Sequence, residues 1–197
     1  LLMQSTGGVT PAEDASLRPI TLVNSGPAGG VIASRFIGEL LGLTNLICID
    51  MGGTSFDTSL ITGGYCSTSD APRLFNHNVY VPIIDIQSIG AGGGSIAWVY
   101  GGRRLKVGPQ SAGADPGPAC YGKGGQDPTV TDANLVLGKL NPEYFLGGEM
   151  RLDRGRAMDA IASKVARPLG MDVLAAALGI RRVVDANMAS ALRSLTI

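Results

Sequence analysis

The sequence predicts a mixed α/β fold: an α/β or α+β lobe in which a mixed β-sheet is flanked by helices. Three observations lead there. Short apolar runs of strand length crowd the first 110 residues. A Gly/Pro-rich insertion follows over residues 90–127, and residues 131–197 read as helical. Strands early and helices late leave one layered core of sheet and helix as the simplest way to bury both kinds of apolar face.

Taken in order, Leu1 to Gln4 reads as a short strand entering a Ser-Thr-Gly-Gly turn at residues 5–8, and Pro19 to Val23 as a second strand. Asn24-Ser25-Gly26-Pro27 then places a polar cap ahead of a Pro at the first helical position. A helix is expected to about Leu41 and to stop at Gly42, with Ile32, Phe36 and Leu40 forming its apolar face. Residues 45–50 and 56–62 form a hairpin, followed by strand-like Val79–Ile89, Ile96–Val99 and Arg104–Val107. Twelve glycines and three prolines between residues 90 and 125 predict a loosely held excursion, cut first by protease near Lys106 or Lys123. Thr131 or Asp132 caps a helix through Leu140, and two more helices run near Arg154–Ala166 and Asp172–Leu195. In the last, Val173, Ala177, Ile180, Val184, Met188, Ala191 and Leu195 keep one face apolar.

Composition excludes several classes. Sixteen basic and sixteen acidic residues cancel, with no basic stripe to attract nucleic acid. The chain is 45% hydrophobic, yet no apolar run approaches the ~20 residues of a membrane span. Cys48, Cys66 and Cys120 are far apart and odd in number, which predicts reduced thiols and a cytoplasmic location. The start at Leu1-Leu2-Met3-Gln4 and the stop inside a helical pattern at Leu195-Thr196-Ile197 read as a piece of a longer polypeptide.

The most informative segment runs from Leu46 to Ile61. An apolar run read as a buried strand ends in Asp50, passes through Gly52-Gly53-Thr54 and returns as Phe56-Asp57-Thr58-Ser59-Leu60-Ile61. Two glycines let backbone N–H groups approach an anion, and a carboxylate at the mouth of the turn can hold a metal's water shell, as Mg²⁺-bound polyphosphate requires. An ordinary Gly-Gly hairpin is the competing reading. Asp57, on the outgoing strand, either serves a cation or faces water.

Gly90-Ala91-Gly92-Gly93-Gly94-Ser95 nearly spells a dinucleotide fingerprint, but a strand and not a helix is expected after it, so that reading fails. Gly92, Gly93 and Gly94 remain candidates for nucleotide contact, with backbone packed on backbone as the alternative. Ser25–Gly30 lacks the Lys-Ser/Thr of a P-loop and reads as helix packing through glycines. Cys120 and Tyr121 are candidates within the excursion, Asp115 is a turn residue, and lone His77 a surface residue.

Asp50-Met51-Gly52-Gly53-Thr54 is similar to the second phosphate loop of the actin-like ATPases. The order Gln4–Val9, Ser25–Gly30, Asp50–Ser55, Ile89–Ala97, Gly108–Tyr121 and Pro128–Asn134 resembles the hydantoinase A/5-oxoprolinase family over nearly the whole chain. The resemblance implies the second lobe of an actin-like, ribonuclease H-like ATPase fold, using ATP and Mg²⁺ in a cytoplasmic enzyme. Carried over, Gly52, Gly53 and Thr54 contact phosphates and Asp50 holds Mg²⁺, with Asp57 a further metal candidate. The reaction implied is ATP-dependent opening of a cyclic amide such as a hydantoin or 5-oxoproline-type lactam. Ketone carboxylation by an acetone/acetophenone-type subunit is the alternative, and a non-catalytic nucleotide-binding scaffold is the competitor from another class. A B-type subunit or domain is the implied partner, in an oligomer.

Overall fold

The computed structural model describes residues 1–70, 73–74, 77–78, 80–101 and 103–196, which fall into two compact units. The first holds residues 1–50, 57–88 and 195–197, and the second 51–56 and 89–194.

The first unit opens with β1 (Leu2–Met3) and β2 (Val9–Thr10), an antiparallel pair about the expected turn. Pro11 then caps α1 (Ala12–Leu17). Its first turn carries Glu13 and Asp14, acids that favour a helix N-terminus, a signal the sequence reading passed over. Pro19–Leu22 is a 3₁₀ turn and not the expected strand; proline removes one donor, and the chain bonds locally through Val23 N–H to Ile20 C=O. The next helix, α2 (Ser25–Leu41), ends at Gly42 with φ 69° as expected, but Pro27 is its third residue and Asn24 makes no side-chain cap bond.

The buried face of α2 is Ala28, Val31 and Gly38, while Phe36 and Leu40 are exposed, contrary to the 32/36/40 expectation. Gly38 explains the rotation. A Cβ there would stand 2.7 Å from Leu46 and 2.8 Å from the Leu43 carbonyl, so the helix seats on its smallest residue. Gly26 and Gly30 have nothing within 4 Å and Gly29 meets only the Met3 side chain, at an ordinary 3.7 Å, so the tight packing expected of Ser25–Gly30 is not found.

The central hairpin is β3 (Leu46–Met51) and β4 (Phe56–Thr62), with β5 (Tyr65–Cys66) pairing β4. Two short antiparallel pairs follow: β6 (Thr68–Ser69) with a later strand, and β7 (Arg73–Leu74) with β8 (His77–Asn78). The partner of β6 is β9 (Ile83–Ile84), and β10 (Gln87–Ile89) joins the main sheet in the order β10-β4-β3. The continuous Val79–Ile89 strand is therefore broken into short pieces, and Val79 lies outside the described residues. His77 is exposed. The expectation of a strand buried on both faces fails for β3: Cys48 is buried against Ala28, Val31, Ile61 and Ile84, but Ile47 and Ile49 are 52% and 62% exposed. One face of β3 is thus covered, at Cys48, and the other, at Ile47 and Ile49, is open.

In the second unit, β11 (Ser95–Tyr100) and β12 (Arg104–Ser111) form an antiparallel hairpin that takes up much of the supposed excursion. Thr129, and not Thr131 or Asp132, caps α3 (Val130–Val136), which stops at Gly138 (φ 72°) before reaching Leu140. Next, α4 (Arg154–Ile161) is capped by Asp153, whose carboxyl is held below the usual range by the Arg156 N–H. It runs through a π-helical turn (Ala162–Ala166) into α5 (Arg167–Leu169). The last helix is α6 (Val173–Thr196), burying Ala176, Ala177, Ile180, Val184 and Ala191 as the spacing predicted. The first four pack with Val130, Leu135, Ile161 and Val165 in one apolar cluster.

The loosely held excursion is also overturned. Gly117, Pro118, Ala119 and Cys120 are buried, and Gly117 N–H bonds the Ala112 carbonyl. Glycine here permits close backbone approach: a Cβ on Gly90 would stand 2.8 Å from the Pro109 carbonyl oxygen. Lys106 lies across the Trp98 and Tyr100 rings, 5.3 and 5.0 Å from their centroids. High glycine content serves packing of backbone on backbone here, which a composition count cannot distinguish from mobility.

Candidate phosphate-binding turn

Asp50 and Asp57, in the first unit, line one cavity of about 210 Å³ together with Gly30, Ser34, Thr58 and Ser59. Asp50 is exposed at the end of β3, and Asp57 is half-buried on β4. The floor of β4 is fixed by hydroxyls: Thr58 and Ser59 donate to the Gln87 and Asp85 carbonyls at 3.3 and 2.7 Å. Two carboxylates with neighbouring hydroxyls form an all-oxygen donor set. Among the described residues no group of three or more His, Cys, Asp or Glu is placed to enclose a metal. Such a set suits a hard cation that keeps most of its water, as Mg²⁺ does, and not a fully protein-ligated ion.

The Gly52-Gly53-Thr54 turn, in the second unit, sits on Gly92-Gly93-Gly94. The Gly93 N–H donates to the Gly52 carbonyl at 3.0 Å and the Gly94 N–H to the Gly53 carbonyl at 2.6 Å. Gly92 lies against the Gly53–Thr54 peptide, where a Cβ would stand 2.5 Å from the Thr54 nitrogen. Of the two readings of Gly92–Gly94, backbone on backbone is the one the structure holds; the Gly93 and Gly94 donors are occupied by the turn itself. Thr54 and Ser111 hydroxyls lie 3.3 Å apart, and the Ser111 hydroxyl accepts from Gly113 N–H.

This seating has a consequence for the turn's own donors. In a trans peptide the C=O of one residue and the N–H of the next point in opposite directions. Binding the Gly52 and Gly53 carbonyls to Gly93 and Gly94 therefore aims the Gly53 and Thr54 N–H groups the other way. Among the described residues both of those N–H groups lack a partner, and both residues are exposed. Two outward amides beside a threonine hydroxyl form a donor set of the kind that binds phosphate oxygens. The structure thus has residues that fit a polyphosphate and residues that fit its metal.

Sequence reasoning missed the groups that support this turn. Thr131 donates to the Gly93 carbonyl twice, from its N–H at 2.8 Å and its hydroxyl at 2.9 Å. Behind it Asp132, fully buried, accepts from the N–H groups of Ala119 (3.3 Å), Cys120 (2.8 Å) and Thr129 (2.8 Å) and from the Thr129 hydroxyl (2.8 Å). The readable signal was the Thr-x-x-Asp capping box at Thr129 and Asp132.

The surroundings of Cys120 argue against a nucleophilic role. Burial first, and then the adjacent Asp132 carboxylate, push its thiol far above the ordinary value. Tyr121 is raised by burial as well. In native protein at pH 8 Cys120 is expected to resist iodoacetamide and to label only on unfolding, with the half-buried Cys66 labelling ahead of it; peptide mapping checks this, and native labelling of Cys120 contradicts it. A second groove, of about 680 Å³ and lined by Gly90, Leu105, Lys106, Asn187, Ser190 and Ser194, holds none of the predicted residues.

The chain is 47% identical over 194 residues to the caprolactamase alpha subunit of Pseudomonas jessenii, covering 98% of this chain and 28% of that one. The crystal structure of that ATP-dependent caprolactamase superposes with a TM-score of 0.84. A nucleotide-free structure of acetone carboxylase, from work on ATP-dependent acetone carboxylation, superposes at 0.86 with 37% identity, over 98% of this chain and 27% of that one. The acetophenone carboxylase gamma subunit of Aromatoleum aromaticum is 45% identical over 172 residues, 86% of this chain and 24% of that subunit. The chain thus spans about a quarter of the length of these relatives. The hydantoinase/oxoprolinase family matches residues 1–197 from end to end, and the chain belongs to that family.

Proposed function

We propose that this chain is the phosphate-handling part of an ATP-dependent enzyme that opens cyclic amides. The outward Gly53 and Thr54 N–H groups carry the reading, supported by the names of the relatives. Bound ATP, with Mg²⁺, supplies a phosphoryl group that activates an amide oxygen toward water. This chain's residues bind and orient. The Gly53 and Thr54 amides and the Thr54 hydroxyl donate to phosphate oxygens, Asp50 accepts from the metal's water shell, and Gly92–Gly94 hold the turn in place. Asp57 stands as a second carboxylate toward the cation. In this reading the whole of 1–197 belongs to the second lobe of an actin-like fold, with 90–127 as its insertion and 131–197 as its helical part. Relatives named as alpha and gamma subunits support a partner subunit, proposed to be of the B type, in an oligomer. The lactam reading is placed first on 47% identity to the caprolactamase alpha subunit, and 45% identity to the acetophenone carboxylase gamma subunit keeps ketone carboxylation as its alternative. Among the described residues no helix is long and apolar enough to cross a membrane; a cytoplasmic site of action is part of the proposal.

Gly53→Ala is the direct test. A Cβ there meets nothing within 4 Å and φ lies outside the left-handed region, so the protein itself tolerates the methyl group. In the full-length protein ATP affinity is expected to fall roughly tenfold or more, the scale of spoiling one charge-assisted hydrogen bond, while melting temperature stays put. Unchanged ATP affinity by calorimetry rejects the phosphate reading.

A further inference from the structure

We infer that Thr131 is a positioning residue for the Gly52–Thr54 turn, acting through Gly93 and touching neither nucleotide nor metal. The route is continuous in hydrogen bonds and lies wholly within the second unit. Thr131 N–H and hydroxyl both grip the Gly93 carbonyl. The Gly92 carbonyl accepts from Ser95 N–H at 3.1 Å and the Gly94 carbonyl from Ala112 N–H at 2.8 Å, so all three glycines are tied down from behind. Gly93 and Gly94 then hold the Gly52 and Gly53 carbonyls, and peptide planarity turns the Gly53 and Thr54 N–H groups outward.

Thr131 itself is fixed. Asp132 and Thr129 form the capping box at the start of α3, and Ala97 N–H donates to the Pro128 carbonyl at 2.7 Å, pinning the approach to the helix onto β11. Thr131 is 8% exposed and its hydroxyl faces a carbonyl already bonded by its own N–H. The second bond adds direction. With one donor Gly93 can pivot about a single N–H···O axis; with two it is held like a bracket. A Cβ on Gly93 would stand 2.9 Å from the Thr131 hydroxyl oxygen, so the fit requires glycine on one side as much as threonine on the other. The first turn of α3 is thereby made part of the aim of two amides on a different loop, which a purely structural threonine would not do.

The relevance to ATP rests on the phosphate reading above; the positioning itself does not. In full-length protein, Thr131→Val removes the hydroxyl and keeps the shape, and Thr131→Ser keeps the hydroxyl. Amide hydrogen exchange without nucleotide is expected to speed up several-fold across residues 52–56 in the valine variant and to match the parent in the serine variant. KM for ATP is expected to rise about fivefold in the valine variant, the scale of one hydrogen bond, with serine restoring it. If valine does not accumulate as folded protein, Thr131→Ala carries the same comparison. Unchanged exchange at 52–56, or failure of serine to restore it, overturns the inference. A Gly53→Ala variant with unaltered ATP affinity sinks the phosphate reading instead, so the two failures are separable.

Discussion

Asp50→Asn in the full-length protein is expected to cut ATP-dependent turnover about a hundredfold or more while leaving the fold nearly unchanged, the scale of removing one preorganised charge-stabilising group. The structure supports both halves. Asp50 is exposed at the end of β3, so the amide buries no new polar group. The asparagine keeps the size and one oxygen but loses the charge, and a carboxylate that orders a divalent cation's water shell acts mainly through charge. The loss is expected in kcat more than in KM for ATP, because in the proposed reading Gly53 and Thr54 still bind phosphate. Raising Mg²⁺ is expected to recover only part of the rate. Asp57→Asn, on the same cavity, is the comparison: a smaller loss ranks the two carboxylates. Unchanged kcat for Asp50→Asn at saturating Mg²⁺ leaves Asp50 an ordinary hairpin residue.

What the sequence made legible and what it hid follow from the range of the forces involved. The Asp50–Thr54 turn between two apolar runs was readable because local periodicity and glycine chemistry define it. So were the stop of α2 at Gly42 and the buried face of α6, each set by neighbours within a few turns. The α2 face was misread because Gly38 lets the helix approach Leu46, a tertiary contact that outweighs the larger Phe36 and Leu40. The strand expected at Pro19–Val23 failed because a proline-led segment bonded locally. The largest error was to take twelve glycines as a sign of mobility. Gly90 on Pro109 and Gly92 on the Gly53–Thr54 peptide are close approaches between distant segments, invisible until the chain is folded. For the same reason Thr131 was seen as a cap and not as a support for the turn.

Asp132 is the residue whose loss should damage the second unit most. Its carboxylate is fully buried and takes four hydrogen bonds, from three backbone N–H groups and one hydroxyl, tying the Ala119–Cys120 segment to the start of α3. Asp132→Ala strands those donors away from water, and each unpaired buried donor costs about 1–3 kcal/mol. Partial relaxation of Ala119 and Cys120 lowers the sum, so a net loss of about 3–5 kcal/mol is expected, at the top of the range for single substitutions. Asp132→Asn is the sharper variant because its shape is conserved. Its NH₂ group must face an N–H donor, so one or two bonds are lost and a donor–donor repulsion appears, for a loss of about 2–3 kcal/mol. Both variants are expected to lower the melting temperature of the full-length protein and to raise amide exchange from residue 117 through α3. Cys120 serves as a built-in reporter: with the Asp132 carboxylate removed and the segment open, its thiol loses both causes of suppressed ionisation and becomes reactive to iodoacetamide under native conditions. A melting temperature and Cys120 labelling rate matching the parent in Asp132→Ala would show that the four bonds contribute nothing net, and that Thr131 is held in place by β11 alone.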